Sequence, residues 1–248
     1  MYEYSYISGA LVFSPFWIYF YLTRSDLRAT MLPLSILFGI GGLVSEFVYI
    51  NDWWHPETMF GTPIGIEDFL FGFFFSGSVA VFYEVIFNKA YTAKAKAPKF
   101  PVRFRYIALI FCSTFFGSAL IFKMHSFTAT VLAFGISLIL ILTLRKDLIP
   151  NAIVGSLFSS FLGFMFFAIP ELLNTGWIAS TWSFSNLSGN FVFYVPMEDF
   201  IWFLMAGAFI APLDKFWKNK KSTAYIAREN SAVIYVSTNT AITESSTK

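Results

Sequence analysis

Charge is scarce in this chain: 13% of its 248 residues are charged, against about 25% in soluble domains. With a hydrophobic share of 56% and a mean hydropathy of +0.63, that scarcity excludes an ordinary soluble domain and points to an integral membrane protein. Cysteine is almost absent too. Cys112 stands alone inside an apolar run, which rules out an internal disulfide or a thiolate metal site and leaves the role of a small buried hydrophobe. The two histidines, His55 and His125, are too isolated to suggest a metal site, and no metal or other cofactor is expected. No Gly-x-Gly-x-x-Gly occurs, so there is no dinucleotide fingerprint. Nor is there an Asp-rich metal–diphosphate motif, which argues against a membrane prenyltransferase.

Aromatic residues are abundant, with 33 phenylalanines and an aromatic share of 21%. Lipid contact and core filling account for many of them; the sharper reading is a tunnel with aromatic walls. Apolar stretches near 5–22, 31–50, 65–87, 105–122, 127–144, 150–170 and 191–213 have the roughly 20-residue length that a bilayer requires. The first lacks a basic leader and a small-residue cleavage site, so it reads as a helix rather than a signal peptide. The fold class is therefore all-α and polytopic, with about seven spans.

The net charge of +2 says little, but the placement of charges says more. Basic residues follow the first, third, fifth and seventh spans: Arg24 and Arg28, the run from Lys89 to Arg105 that includes Lys94, Lys96, Lys99 and Arg103, Arg145 and Lys146, and Lys215 to Lys221. The alternate loops 51–64 and 171–190 contain no Lys or Arg, and the short turn near 123–126 has only Lys123. By the positive-inside rule the N-terminus lies outside and the C-terminus in the cytoplasm of a multi-pass cell-membrane protein.

Two acidic pairs occupy matching places. Glu67-Asp68 opens the run Phe69-Leu70-Phe71-Gly72-Phe73, and Glu198-Asp199 opens Phe200-Ile201-Trp202-Phe203. An Asp at a helix centre in a bilayer costs about 2.5–3.5 kcal/mol, less towards the ends, so paired carboxylates at two such places mark a functional site. Acids in the first turn also suit an ordinary helix start, especially after Pro196, but their duplication weakens that reading. The surrounding text repeats as well. Arg24 to Pro33 and Arg145 to Pro150 each lead into a span, and each span emerges into a tryptophan-bearing loop, with Trp53 and Trp54 in one and Trp177 and Trp182 in the other. This predicts a parallel 3+1+3 repeat: a first half over 1–88, a basic linker and linking helix over 89–126, a second half over 127–215, and a mobile cytoplasmic tail over 216–248.

At these residues the chain resembles the non-flavin, integral-membrane carotenoid cyclases: the heterodimeric bacterial lycopene cyclases and their fused relatives. The likeness covers most of residues 1–215. It rests on Pro196, Glu198 and Asp199, on Glu67 and Asp68, and on the loops Asp52-Trp53-Trp54 and Trp182-Ser183-Phe184. Gly65 precedes the first pair where the family usually has proline, so the second pair is favoured as the seat of chemistry. The resemblance implies acid-initiated, non-redox cyclisation of the ends of lycopene or a related lipid-soluble polyene, most simply to β-carotene. A carboxylic acid kept protonated by burial and a like-charged neighbour is a suitable donor, and a nearby carboxylate can take the final proton. Catalytic candidates are Glu198, Asp199, Glu67 and Asp68. Substrate-binding candidates are Glu46, Trp53, Trp54, Trp182, Trp202 and Phe71, since aromatic faces steady a cation.

Glu46 is expected to face the same cavity, Glu84 to be an interface residue, Glu171 to cap or solvate its loop, and Asp147 to pair locally beside Arg145. The expected surroundings are membrane lipid and the polyene, with no nucleic acid; a homo-oligomer is left open. The rival reading is a small proton-coupled transporter. Spans three and seven read as almost wholly apolar below the acids, which favours a hydrophobic substrate.

Overall fold

Within lipid a chain satisfies its backbone polar groups only in helices or closed barrels, and apolar runs of the length found here take the first course. The computed structural model describes residues 2–93 and 104–225. These residues form α1 (Ser5–Leu11), α2 (Ser14–Thr23), α3 (Arg28–Tyr49), α4 (Ile66–Ile86), α5 (Phe104–Phe116), α6 (Ser126–Leu144), α7 (Ile149–Leu173), α8 (Trp177–Thr181) and α9 (Met197–Trp217). Counting α1 with α2, six helical stretches among the described residues are long and apolar enough to cross a membrane, and a shorter apolar helix runs from Arg105 to Ile121. The protein is all-α and polytopic.

Several boundaries differ from the hydropathy reading. The run 191–196 was expected to begin the last span. Instead β2 (Phe191–Val192) and β3 (Val195–Pro196) form an antiparallel hairpin, and α9 starts at Met197. Phe193 turns with a φ of 56° and is 83% exposed. Alternating aromatic and β-branched residues suit a strand as well as a span, and Pro196 has no N–H to bring into a preceding helical turn. The first span is two helices. Pro15 leaves the Leu11 carbonyl without a helical donor, and the Ser14 hydroxyl takes it at 2.7 Å. Pro33 does the same to Ala29, whose carbonyl receives Lys218 Nζ at 3.1 Å.

Two helix pairs make the scaffold, α3 on α4 and α7 on α9. In each, glycine lets backbones touch: a Cβ on Gly72 would collide with the Phe38 carbonyl, and one on Gly207 with that of Gly155. The end of the bundle opposite the acidic pairs repeats its geometry as well. Arg24 grips Asp26 through two nitrogens at 2.9 and 2.8 Å and bonds the carbonyls of Glu84 and Lys89. Arg145 grips Asp147 at 2.8 and 2.9 Å and bonds the carbonyls of Lys215 and Lys220. The segments that follow α4 and α9, β1 (Lys89–Ala93) and β4 (Lys220–Ala224), pair with each other antiparallel. The rest of the expected tail, 226–248, and the basic linker residues Lys94, Lys96, Lys99 and Arg103 lie outside the described residues.

Glu84 does not sit at a lipid interface. It is fully buried and bonded by Lys215 Nζ at 2.9 Å, Tyr91 Oη at 3.0 Å, Ser222 Oγ at 2.8 Å and Asn151 Nδ2 at 3.3 Å. Burial and this facing carboxylate hold the Tyr91 phenol well above its ordinary range, so it remains a donor. Asp214, buried alongside, meets Lys218 at 2.6 Å, Lys220 at 2.9 Å and the Thr30 hydroxyl at 2.8 Å. The far ends of spans three and seven therefore carry a polar cluster that apolar composition concealed.

Candidate active site

The acidic pairs stand in the first turns of α4 and α9, at the same end of the bundle. Two adjacent helical residues point about 100° apart, so only one member of each pair can look into the space between the helices. That member is the aspartate. Asp68 and Asp199 line a cavity of about 270 Å³, together with Glu46, Trp53, Trp54, Phe71, Trp182 and Trp202; Glu67 and Glu198 lie outside its lining.

The two glutamates serve the loops. Glu67 Oε1 accepts the backbone N–H of Met59 at 2.7 Å, and Glu198 Oε1 that of Ser188 at 2.7 Å. Each has a second buried oxygen, Oε2, with no hydrogen-bond partner.

The two aspartates are held differently. Asp68 Oδ1 accepts the Tyr6 hydroxyl at 2.6 Å, and its Oδ2 accepts the Gly65 N–H at 2.8 Å. Both oxygens are acceptors, the arrangement of an ionised carboxylate. Gly65 in place of the expected proline makes this possible, since proline has no N–H to give. Asp199 follows Pro196 and has no such backbone donor from its N-cap. Its Oδ2 instead takes two indoles, Trp182 Nε1 at 2.9 Å and Trp53 Nε1 at 3.3 Å. Glu46 Oε2 accepts Trp54 Nε1 at 3.3 Å, while its buried Oε1 has no partner.

Those tryptophans come from two loops that are tied together. Trp54 and Trp182 form an antiparallel bridge, with His55 N on Thr181 O at 2.7 Å and Ser183 N on Trp53 O at 2.9 Å. Asp52 braces the first loop by accepting the backbone N–H of Ser126 at 2.9 Å and its hydroxyl. Glu171 accepts the N–H groups of Gly176 and Ile178 at 2.7 and 2.9 Å, the capping role expected of it. His125 caps α6 through Phe127 N, and among the described residues no group of side chains could hold a metal.

Away from the acids the cavity is apolar. On α9 its wall runs from Asp199 through Trp202, Phe203, Ala206 and Phe209 to Leu213, a strip about 21 Å long on one face of the helix at 1.5 Å per residue. Phe71 and Phe75 on α4 approach Trp202 with ring centroids 5.8 and 5.7 Å apart. Tyr6 and Tyr49 also line the site and were not foreseen. Tyr49 bonds Thr130 at 3.1 Å and receives Trp202 Nε1 at 3.3 Å. A tyrosine inside an apolar span was the signal available for each.

Neither a curated protein nor a solved structure matches the chain. The family model described as lycopene cyclase matches residues 2–86 and 123–217, two stretches that together take in both aspartates, Glu46 and the tryptophan loops. This multi-pass membrane protein belongs to the lycopene cyclase family, which gives it a carotenoid cyclase role.

Proposed function

We propose that this chain cyclises the ends of lycopene to β-ionone rings, giving β-carotene, as an intramolecular lyase (isomerase) without redox change. The observation that carries the reading is a cluster of three carboxyls, Asp68, Asp199 and Glu46, at the head of an aromatic-walled cavity. Such a cavity accepts a hydrocarbon and brings its end to groups that can give and take protons.

Asp199 is the proton donor in this reading. Its Oδ2 already accepts two indoles, so a proton on this acid belongs on Oδ1. It is half-buried, whereas Asp68 and Glu46 are each 2% exposed. The proton moves to the terminal double bond and forms a C–H bond, leaving a tertiary cation. The neighbouring double bond attacks and closes the ring. Loss of a ring proton to a carboxylate then restores a double bond, so atoms and electrons balance. Asp68, with both oxygens accepting, suits the base. Faces of Trp53, Trp54, Trp182 and Trp202 steady the cation by about 0.5–2 kcal/mol each. Glu67 and Glu198 act as positioning residues that fix the two loops.

Two matched stretches, and the repeated Arg–Asp grips at the far end, support reading the chain as two three-helix halves joined by a linking segment. The unequal charges of the loops support an external N-terminus and acid end, with the C-terminus in the cytoplasm. Against a transporter, among the described residues the cavity lining reaches Leu213 but not Glu84, Asp214 or Lys215, so this cavity does not continue into the polar cluster. Expression of the chain alone in a lycopene-accumulating bacterium should yield cyclic carotenoid. Unchanged lycopene with the protein present in the membrane would overturn the assignment.

A further inference from the structure

A buried pocket has buried walls, yet part of this wall is also outer surface. Leu37 and Val44 on α3 line the cavity while 40% and 43% exposed, and Cys112 on α5 lines it from an exposed position, contrary to the buried role its apolar run suggested. Between them lies Gly41, where an added Cβ would meet nothing within 4 Å. Helix α5 packs chiefly on α6 rather than on α3. Nearer the acid end α3 and α5 do meet, where Tyr49 and Phe115 stand 5.8 Å apart between ring centroids.

The wall is therefore breached partway along two apolar helices, on a side that faces hydrocarbon. Along α3 the breach runs from Val44, about 3 Å of helix rise from Glu46, to Leu37, about 14 Å from it at 1.5 Å per residue. The cavity is also small. At about 270 Å³ it falls below the range of roughly 300–1,000 Å³ usual for small-molecule sites, so a long polyene must leave part of its length elsewhere. Every residue at the breach is apolar or small, which suits a polyene stem and repels a polar solute.

We propose that the gap between α3 and α5 is a sideways port through which a linear polyene slides in from the lipid, its reacting end at Asp199 and its remainder still in the membrane. The port rests on the cyclase reading above and adds the route to it. One end is treated per visit, and the product end withdraws by the same slot.

The test uses the full chain in membranes supplied with lycopene. Gly41→Trp fills the gap and should cut conversion by about tenfold or more. Ile40→Trp places the same side chain at a neighbouring position that is 52% exposed and outside the cavity lining, and should leave conversion unchanged. Cys112 is the chain's one cysteine, so thiol labelling reads the port directly. Lycopene should slow labelling of the Asp199→Asn protein, which binds without turning over. Normal conversion by Gly41→Trp, equal loss in Ile40→Trp, or labelling indifferent to lycopene would each overturn the port. If Gly41→Trp stays active while Asp199→Asn is dead, the port fails and the acid site stands. A wild-type chain that converts nothing defeats the cyclase reading instead, and protection of Cys112 then decides the port alone.

Discussion

The two ends of α4 and α9 bury carboxyl groups in opposite ways. At the far end Glu84 is surrounded by Lys215, Tyr91, Ser222 and Asn151, and every oxygen has a partner. At the acid end Glu46, Glu67 and Glu198 each keep an oxygen without a hydrogen bond, and the donors offered to Asp199 are neutral indoles. A buried carboxylate that meets a cation is held ionised and inert; one surrounded by neutral donors can exchange a proton. The same helices thus carry a lock at one end and, in the reading proposed for Asp199, an exchangeable acid at the other. Burial alone does not separate them, but the partners do.

The largest expected effect breaks the acid end alone. Asp199→Asn keeps both indole acceptor bonds but removes the proton, so conversion should fall about 100-fold or more, within the usual general-acid range of 10²–10⁴. Membrane protein levels, read by immunoblot, should not change, because an amide is easier to bury than a carboxyl. Pigment yield at matched protein decides it.

Glu84→Gln should do the reverse. It strands Lys215 in a buried site, which typically costs about 3–5 kcal/mol, so thermal denaturation in detergent should drop sharply while conversion per folded molecule holds. The double replacement Glu84→Leu with Lys215→Leu removes both charges and should recover most of that stability. If the double variant is no better than the single one, the pair is not the lock described.

The smallest effect separates the members of one acidic pair. Glu198→Gln retains an oxygen for the Ser188 N–H. Exchanging a charge-assisted bond for a neutral one costs about 1 kcal/mol, so conversion should fall by less than about tenfold. A loss as deep as that of Asp199→Asn would move the chemistry to the glutamate. Reporters sharpen the orientation: one carried after Lys248 should face the cytoplasm and one inserted beside Gly61 the outside, and finding both on one side would refute the topology.

Much of this was legible in the sequence because apolar length and duplicated acids are local signals. The runs marked the helices, and the repeat put Glu67-Asp68 and Glu198-Asp199 at one end. The choice within each pair was not legible, since neighbouring side chains diverge by about 100° and their direction depends on helices far away in sequence. Residues 191–196 misled because a short aromatic hairpin and the start of a span have the same hydropathy. Glu84 was missed because its counter-ion lies 131 residues away. The repeat held the clue: Glu84 follows Glu67, and Lys215 follows Glu198, by the same 17 positions. Read as two halves, the chain carries opposite charges at equivalent places, which is what a buried pair across the centre requires.

The most direct measurement of the central claim is cyclisation of lycopene in deuterated water by membranes holding the chain, followed by mass spectrometry of the product. Proton delivery to the chain end and loss of a different ring proton leave one solvent-derived hydrogen in every ring. Each ring should therefore add one mass unit, and Asp199→Asn membranes should form no labelled product. A cyclic product free of deuterium after many turnovers would contradict acid-initiated ring closure at this site.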